Sequence, residues 1–146
     1  MIAILAAIIT ANSVITPVNA FATPDVTAWT SHSSPGGNGW SDIVYGNGVF
    51  VAVAESGDGQ RVMTSNDGIN WTLRTPIAEA LQWKSVTFGS GIFVAVSSGN
   101  DVITSSDGIT WTRRTPSSRI NWWSVTYGGG VFVAVAGSGA GNRVMT

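Results

Sequence analysis

The sequence predicts an all-β fold, a partial β-propeller of four-stranded antiparallel meander blades, two complete and one incomplete. Three observations predict it. The stretch Trp40 to Pro76, WSDIVYGNGVFVAVAESGDGQRVMTSNDGINWTLRTP, is written again at Trp83 to Pro116 as WKSVTFGSGIFVAVSSGNDVITSSDGITWTRRTP. A third copy starts at Trp122 and runs to Thr146, within its own third segment. Self-similarity at a period of roughly 40 residues marks a stacked repeat architecture. Next, 7 Trp and 18 Gly recur at matching places, aromatics within strands and glycines at turns, as all-β repeats require. Finally, each copy carries one short and nearly unbroken apolar run, Val49 to Ala54 in the first. Such a run belongs to a strand covered on both faces.

The balance of residue types bounds what the chain does. Hydrophobic residues make up 44% and charged residues 10% of the chain, a composition that folds. The formal net charge is −1, and no Lys/Arg cluster interleaves with the aromatics, so a nucleic-acid partner is not expected. Zero cysteines remove disulfides, thiol nucleophiles and Cys-based metal sites. No Walker loop, dinucleotide fingerprint or zinc-ligand spacing occurs, so neither a cofactor nor a metal is expected.

Residues 1–22, MIAILAAIITANSVITPVNAFA, stand outside the repeat. Their apolar run, Ile2 to Ile9, is too short for a stable membrane span, which needs about 20 apolar residues. Small residues follow at cleavage-like spacing, so the segment reads as a secretory leader, with a secreted, periplasmic or cell-surface destination. Residues 23–146 then hold the propeller repeats. Within them, residues 26–35, VTAWTSHSSP, echo the last strand of a repeat without its head: Trp29-Thr30 before Pro35 matches Trp71-Thr72 before Pro76. An orphan strand is expected there, able to pair with Arg143 to Thr146.

The blades cover residues 40–76, 83–116 and 122–146. In the first, a strand from Trp40 to Tyr45 meets Gly46-Asn47-Gly48, where glycine permits the positive φ of a tight hairpin. The core strand Val49 to Ala54 follows, then a Gly-rich loop at Ser56 to Gln60 and a third strand, Arg61 to Ser65. Asn66-Asp67-Gly68 makes a second tight turn, Ile69 to Thr75 makes a fourth strand, and Pro76 closes the unit. Only Ile77 to Leu81 has the makings of a helical turn. Three blades are fewer than the roughly 4 to 8 of a closed ring. The expected explanations are a fragment of a larger ring, an open arc, or self-association through exposed blade faces.

Ser65-Asn66-Asp67-Gly68-Ile69-Asn70-Trp71 and Ser105-Ser106-Asp107-Gly108-Ile109-Thr110-Trp111 resemble the Asp-box of bacterial neuraminidase repeat propellers, usually Ser-x-Asp-x-Gly-x-Thr-Trp. The resemblance implies a hairpin between a blade's third and fourth strands, with the carboxylate accepting backbone N–H bonds and the Trp packed beneath. Ser65, Asp67, Gly68 and Trp71 carry over as structural turn residues, and so do Ser105, Asp107, Gly108 and Trp111. Here Gly follows Asp directly, one residue sooner than in the family. Enzymes, assembly factors and binding modules all carry this box.

Candidate chemistry is sparse. Asp67 and Asp107 have the residue type of catalytic or metal-binding carboxylates, yet Asx-turn bonding accounts fully for an Asp-Gly hairpin. Tyr45, Phe88 and Tyr127 share one repeat position, and Phe serving there speaks against a phenol nucleophile. Trp40, Trp83 and Trp122, with Trp71 and Trp111, read as core, with glycan stacking as the alternative. Arg74 and Arg114 fall on an outermost strand and read as solvated. His32 stands alone among serines and reads as a surface residue. Glu55 and Glu79 are the only glutamates, neither in a recognisable arrangement with a Tyr. No paired carboxylates for glycoside hydrolysis stand out, and no catalytic residue is assigned.

Variation between copies points to the binding surface. The Gly-x-Gly and Asp-Gly hairpins hardly change, whereas the second-to-third loop runs ESGDGQR, SSGND and AGSGAGNR, and the interblade loop runs GGNG, IAEALQ and SSRIN. In an up-down-up-down meander both variable sets lie at one end. The expected ligand-binding residues are therefore Glu55, Asp58, Gln60, Arg61, Glu79, Asn100, Asp101, Arg119 and Asn121. The function that follows is a non-catalytic exported module binding a protein or glycan. Its alternatives are a fragment of a sialidase-like glycoside hydrolase with its catalytic residues elsewhere, or a purely structural surface repeat.

Overall fold

The computed structural model describes residues 27–77, 81–138, 141 and 143–146. The leader-like segment, Glu79 and most of the 77–81 segment lie outside the described residues. The chain divides between Ser31 and His32 into two compact units, and every described strand belongs to the second.

That unit contains three antiparallel sheets. The first is β1 (Gly39–Gly46), β2 (Val49–Ser56), β3 (Val62–Ser65) and β4 (Thr72–Arg74), paired in that order. The second repeats it as β5 (Trp83–Gly89), β6 (Ile92–Ser97), β7 (Val102–Ser105) and β8 (Thr112–Arg114). The third has β9 (Trp122–Gly128), β10 (Val131–Ala136) and β11 (Val144–Met145). These are two complete propeller blades and one incomplete blade, without a helix among the described residues.

Local chemistry sets each boundary. The first hairpin closes through a two-residue turn in which Asn47 and Gly48 have φ of 47° and 78°, the mirror-image turn that matches strand twist. Ser90-Gly91 and Gly129-Gly130 repeat it in the other blades. The fourth strand is shorter than the sequence suggests, Thr72–Arg74 in place of Ile69 to Thr75. The reason is local competition: the Asp67 carboxylate takes the N–H groups of Ile69 and Asn70, so neither is left for the ladder.

Each first strand also carries a β-bulge. Trp40 pairs with Ala54 while Asp42 pairs with Val53, leaving Ser41 as the extra residue. Lys84 and Trp123 take the same place in β5 and β9. A bulge re-aims its side chain and tightens the local twist. Here the hydroxyl of Ser41 donates to the Trp83 carbonyl of the next blade at 2.9 Å.

The expected strand over residues 26–35 does not form across 27–34. Trp29 is exposed, and within its sheet β11 takes β10 as its neighbour. Thr-Ser-His-Ser-Ser offers no alternating apolar face with which to hold an added strand.

The core lies between blades. Val51, Val53 and Val62 of the first blade pack on Trp83, Val86, Phe93 and Trp111 of the second. Val94, Val96 and Val102 of the second pack likewise on Trp122, Val125 and Ala134 of the third. Alternate residues of β6 thus serve opposite neighbours, so both its faces are dry. Backbones approach closely where Phe88 lies over Gly46 and Tyr127 over Gly89; a Cβ on either glycine would fall 2.2 or 2.0 Å from the ring. Polar bonds tie the same seam. Asp42 Oδ2 accepts from the Ser85 hydroxyl at 2.7 Å and from the Val86 N–H at 3.0 Å.

Candidate functional site

The two ends of the blades differ in kind. At one end are the first hairpins and the Asp-Gly turns, and their polar groups are consumed internally. Ser65 Oγ accepts from the N–H of Asp67 and of Gly68, at 3.3 and 2.9 Å, and its hydroxyl donates to Asp67 Oδ1 at 2.9 Å. Asp67 Oδ1 accepts from Ile69 and Asn70 N–H, both at 2.8 Å, and Trp71 Nε1 donates to the Gly68 carbonyl at 3.1 Å. The second blade reproduces the network at Ser105, Asp107, Gly108 and Trp111.

Carboxylates that accept several N–H bonds are held ionised. The Asn70 side-chain amide, then the Asn70 and Ile69 N–H groups, keep Asp67 well below the usual carboxylate range. The backbone N–H groups of Thr110 and Ile109 lower Asp107 from 3.8 to about 2. Stably charged, turn-bound carboxylates of this kind are poor proton carriers near neutrality.

The opposite end collects the loops that vary between copies. In the first blade, these loop residues are engaged by partners within the chain. Arg61 donates to the carbonyls of Glu55 and Gly57 at 3.3 and 3.0 Å. Gln60 Nε2 donates to Thr75 Oγ1 at 3.0 Å, and Asp58 N–H donates to Asn38 Oδ1 at 3.0 Å. The Glu55 carboxylate pairs with Lys84, whose ammonium lies 5.3 Å from the Trp123 ring centroid.

The second blade is open at this end. A hollow of about 390 Å³ is lined by Asn100, Asp101, Arg113, Arg114 and Arg119, with Thr115 and Pro116. Arg113 Nε pairs with Asp101 Oδ1 at 2.8 Å, and Arg114 Nε donates to Thr104 Oγ1 at 2.8 Å. Three arginines and one aspartate therefore contribute to the lining of this hollow, a balance of charge that suits an anionic group. A second hollow of about 250 Å³ shares Arg114, Thr115 and Pro116 and is walled by Val94, Val102, Val125, Phe132 and Met145. A cationic compartment thus opens beside an apolar one.

Of the nine residues expected to bind, the structure gathers Asn100, Asp101 and Arg119 around one hollow. Glu55, Asp58, Gln60 and Arg61 form a separate group over the first blade. The carbonyl of Asn121 accepts from Gly137 N–H at 3.3 Å, and Glu79 lies outside the described residues. Sequence reasoning overlooked Arg113, and it treated Arg114 as merely solvated. Arg114 does lie on the outermost strand and is exposed, yet it borders both hollows. Among the described residues, no group of three or more His, Asp or Glu side chains is placed to hold a metal ion, and no helix is long and apolar enough to cross a membrane.

No protein-family profile and no curated protein sequence match the chain. Solved structures do. YCF48 from Cyanidioschyzon merolae superposes with a TM-score of 0.62 at 22% identity, over 77% of this chain and 35% of that one. YCF48 bound to D1 peptide superposes with a TM-score of 0.58 at 18% identity, over 70% of this chain and 36% of that one. The likeness shows a shared propeller fold, and this chain spans little more than a third of either neighbour's length.

Proposed function

We propose that this chain is a propeller module that binds an extended peptide through its variable loop end, by seating a peptide carboxylate among Arg113, Arg114 and Arg119. The observation that carries the reading is the hollow whose lining holds three arginines and one aspartate. Fork-shaped donors bind carboxylates bidentately, and the adjoining apolar hollow suits a neighbouring apolar side chain. A propeller of the same fold is known with a peptide bound, which supports a peptide as the ligand class. The Asp-Gly turns, as a shortened Asp-box, then serve as scaffold. Export, supported by the leader-like residues 1–22, belongs to the same proposal and is checked by sequencing the N-terminus of the mature protein.

The test is fluorescence anisotropy with a labelled peptide ending in an apolar residue and a free carboxylate, against its amidated twin. Arg119→Glu should weaken binding of the free acid by about tenfold, near 1.4 kcal/mol, and leave the amide almost unaffected. Arg61→Glu should matter less, because Arg61 holds its own loop. Equal binding of acid and amide, or an Arg119→Glu protein that binds as well as the parent, would overturn the reading.

A further inference from the structure

The hollow of the second blade lies where one loop is shorter than its counterpart. The N–H of Ala54 donates to the Arg61 carbonyl at 3.0 Å, and the N–H of Ser97 donates to the Asp101 carbonyl at the same distance. Arg61 and Asp101 thus hold one repeat position, the last before the third strand. Residues 54–61 join Val53 to Val62 in the first blade, whereas residues 97–101 suffice to join Val96 to Val102 in the second. In the longer loop Gln60 reaches Thr75, and Arg61 folds back on the carbonyls of Glu55 and Gly57. In the shorter loop Asn100, one methylene shorter than Gln60, stands in its place, and Thr115, the counterpart of Thr75, is part of the hollow's wall.

The second blade also exchanges its charges. Ile103 pairs with Arg113 where Met63 pairs with Leu73, so an arginine and a leucine of the first blade become Asp101 and Arg113. Asp101 Oδ1 takes the Nε of Arg113 at 2.8 Å. The main chain of Asp101 is held from both sides: its N–H donates to Ser97 Oγ at 3.0 Å, its carbonyl accepts from the Ser97 N–H, and Ser97 is fully buried. Oδ2 accepts no hydrogen bond from another described residue, although the side chain is only 16% exposed. A sheltered carboxylate oxygen in the wall of a hollow calls for a donor.

We infer that Asp101 Oδ2 accepts the last backbone N–H of a bound peptide while the arginines hold its terminal carboxylate. Resting on the peptide reading above, this role makes Asp101 the residue that selects which carboxylates enter. In a peptide the last N–H and the terminal carboxylate are attached to one Cα, so seating the second brings the first against the same wall. Hydrogen bonds to an ionised acceptor are the stronger kind. Asp101 thereby favours a peptide terminus, which carries the donor, over a keto acid, a fatty acid or a peptide ending in proline, which offers the carboxylate alone.

The test extends the anisotropy titration to the same free-acid peptide N-methylated at its last amide, with methylation at the preceding amide as a control for backbone shape. On the native chain the first methylation should weaken binding about tenfold, and the control should change little. Asp101→Ala should bind the parent and the last-amide N-methyl peptide alike, because the acceptor is gone. The comparison on the native chain needs no variant, so it stands even where Asp101→Ala fails to fold. A native chain that binds both peptides equally, or an Asp101→Ala chain that discriminates as fully as the native one, would overturn the role of Asp101 and leave a preference for acid over amide to the arginines. Acid and amide bound alike would overturn both.

Discussion

Ser105 shows how much a single hydroxyl does in these turns. It is buried, accepts from the N–H groups of Asp107 and Gly108, and donates to the Asp107 carboxylate. Ser105→Ala leaves two main-chain donors without their acceptor and should cost about 1–3 kcal/mol, read as a lower urea midpoint. Asp107 adds a pH dependence of definite sign. Its folded pKa is depressed, from 3.8 to about 2, so its contribution is complete above 3.8 and is lost as pH falls towards 2. The urea midpoint should decline through that window, and less steeply in Asp107→Asn. Ser-x-Asp-Gly was legible in the sequence as a tied turn, because the bonding is local. Arg113 and Arg119 were not legible as partners, because nothing in the spacing of a β8 residue and a loop residue says that they line one hollow.

At the scale of the element, the first hairpins and the core strands were readable from glycine placement and apolar runs, whose causes are short-ranged. The fourth strands were over-extended, because side-chain bonds from the turn aspartates override strand propensity at Ile69 to Trp71 and Ile109 to Trp111. The bulges at Ser41, Lys84 and Trp123 show in the sequence only as a break of the two-residue period: Trp83 and Val86, and Trp122 and Val125, share a face at a spacing of three. The glycine after each first-strand aromatic has a seam role that only the packing reveals. Gly89→Ala would set a Cβ 2.0 Å from Tyr127 and should destabilise by about 1–3 kcal/mol. Gly128→Ala meets nothing and should leave the thermal midpoint unchanged. Differential scanning fluorimetry on the pair checks the contrast.

At the scale of the whole molecule, stability resides in the seams between sheets. Trp83 and Trp122 are fully buried there, so Trp83→Ala should cost about 3–5 kcal/mol and is expected to loosen both blades it joins. Loss of the cooperative near-UV circular dichroism transition would report it. The sequence by itself determined the blade, its repetition, its turns and the end at which variation collects, because these follow from residue types a few positions apart. Only the tertiary structure decided which arginines share a hollow, which loop side chains are already committed, and which faces of the stack are uncovered. Those depend on how one sheet rests on the next, and near-identical repeats carry no local mark of whether a neighbour stands beside them.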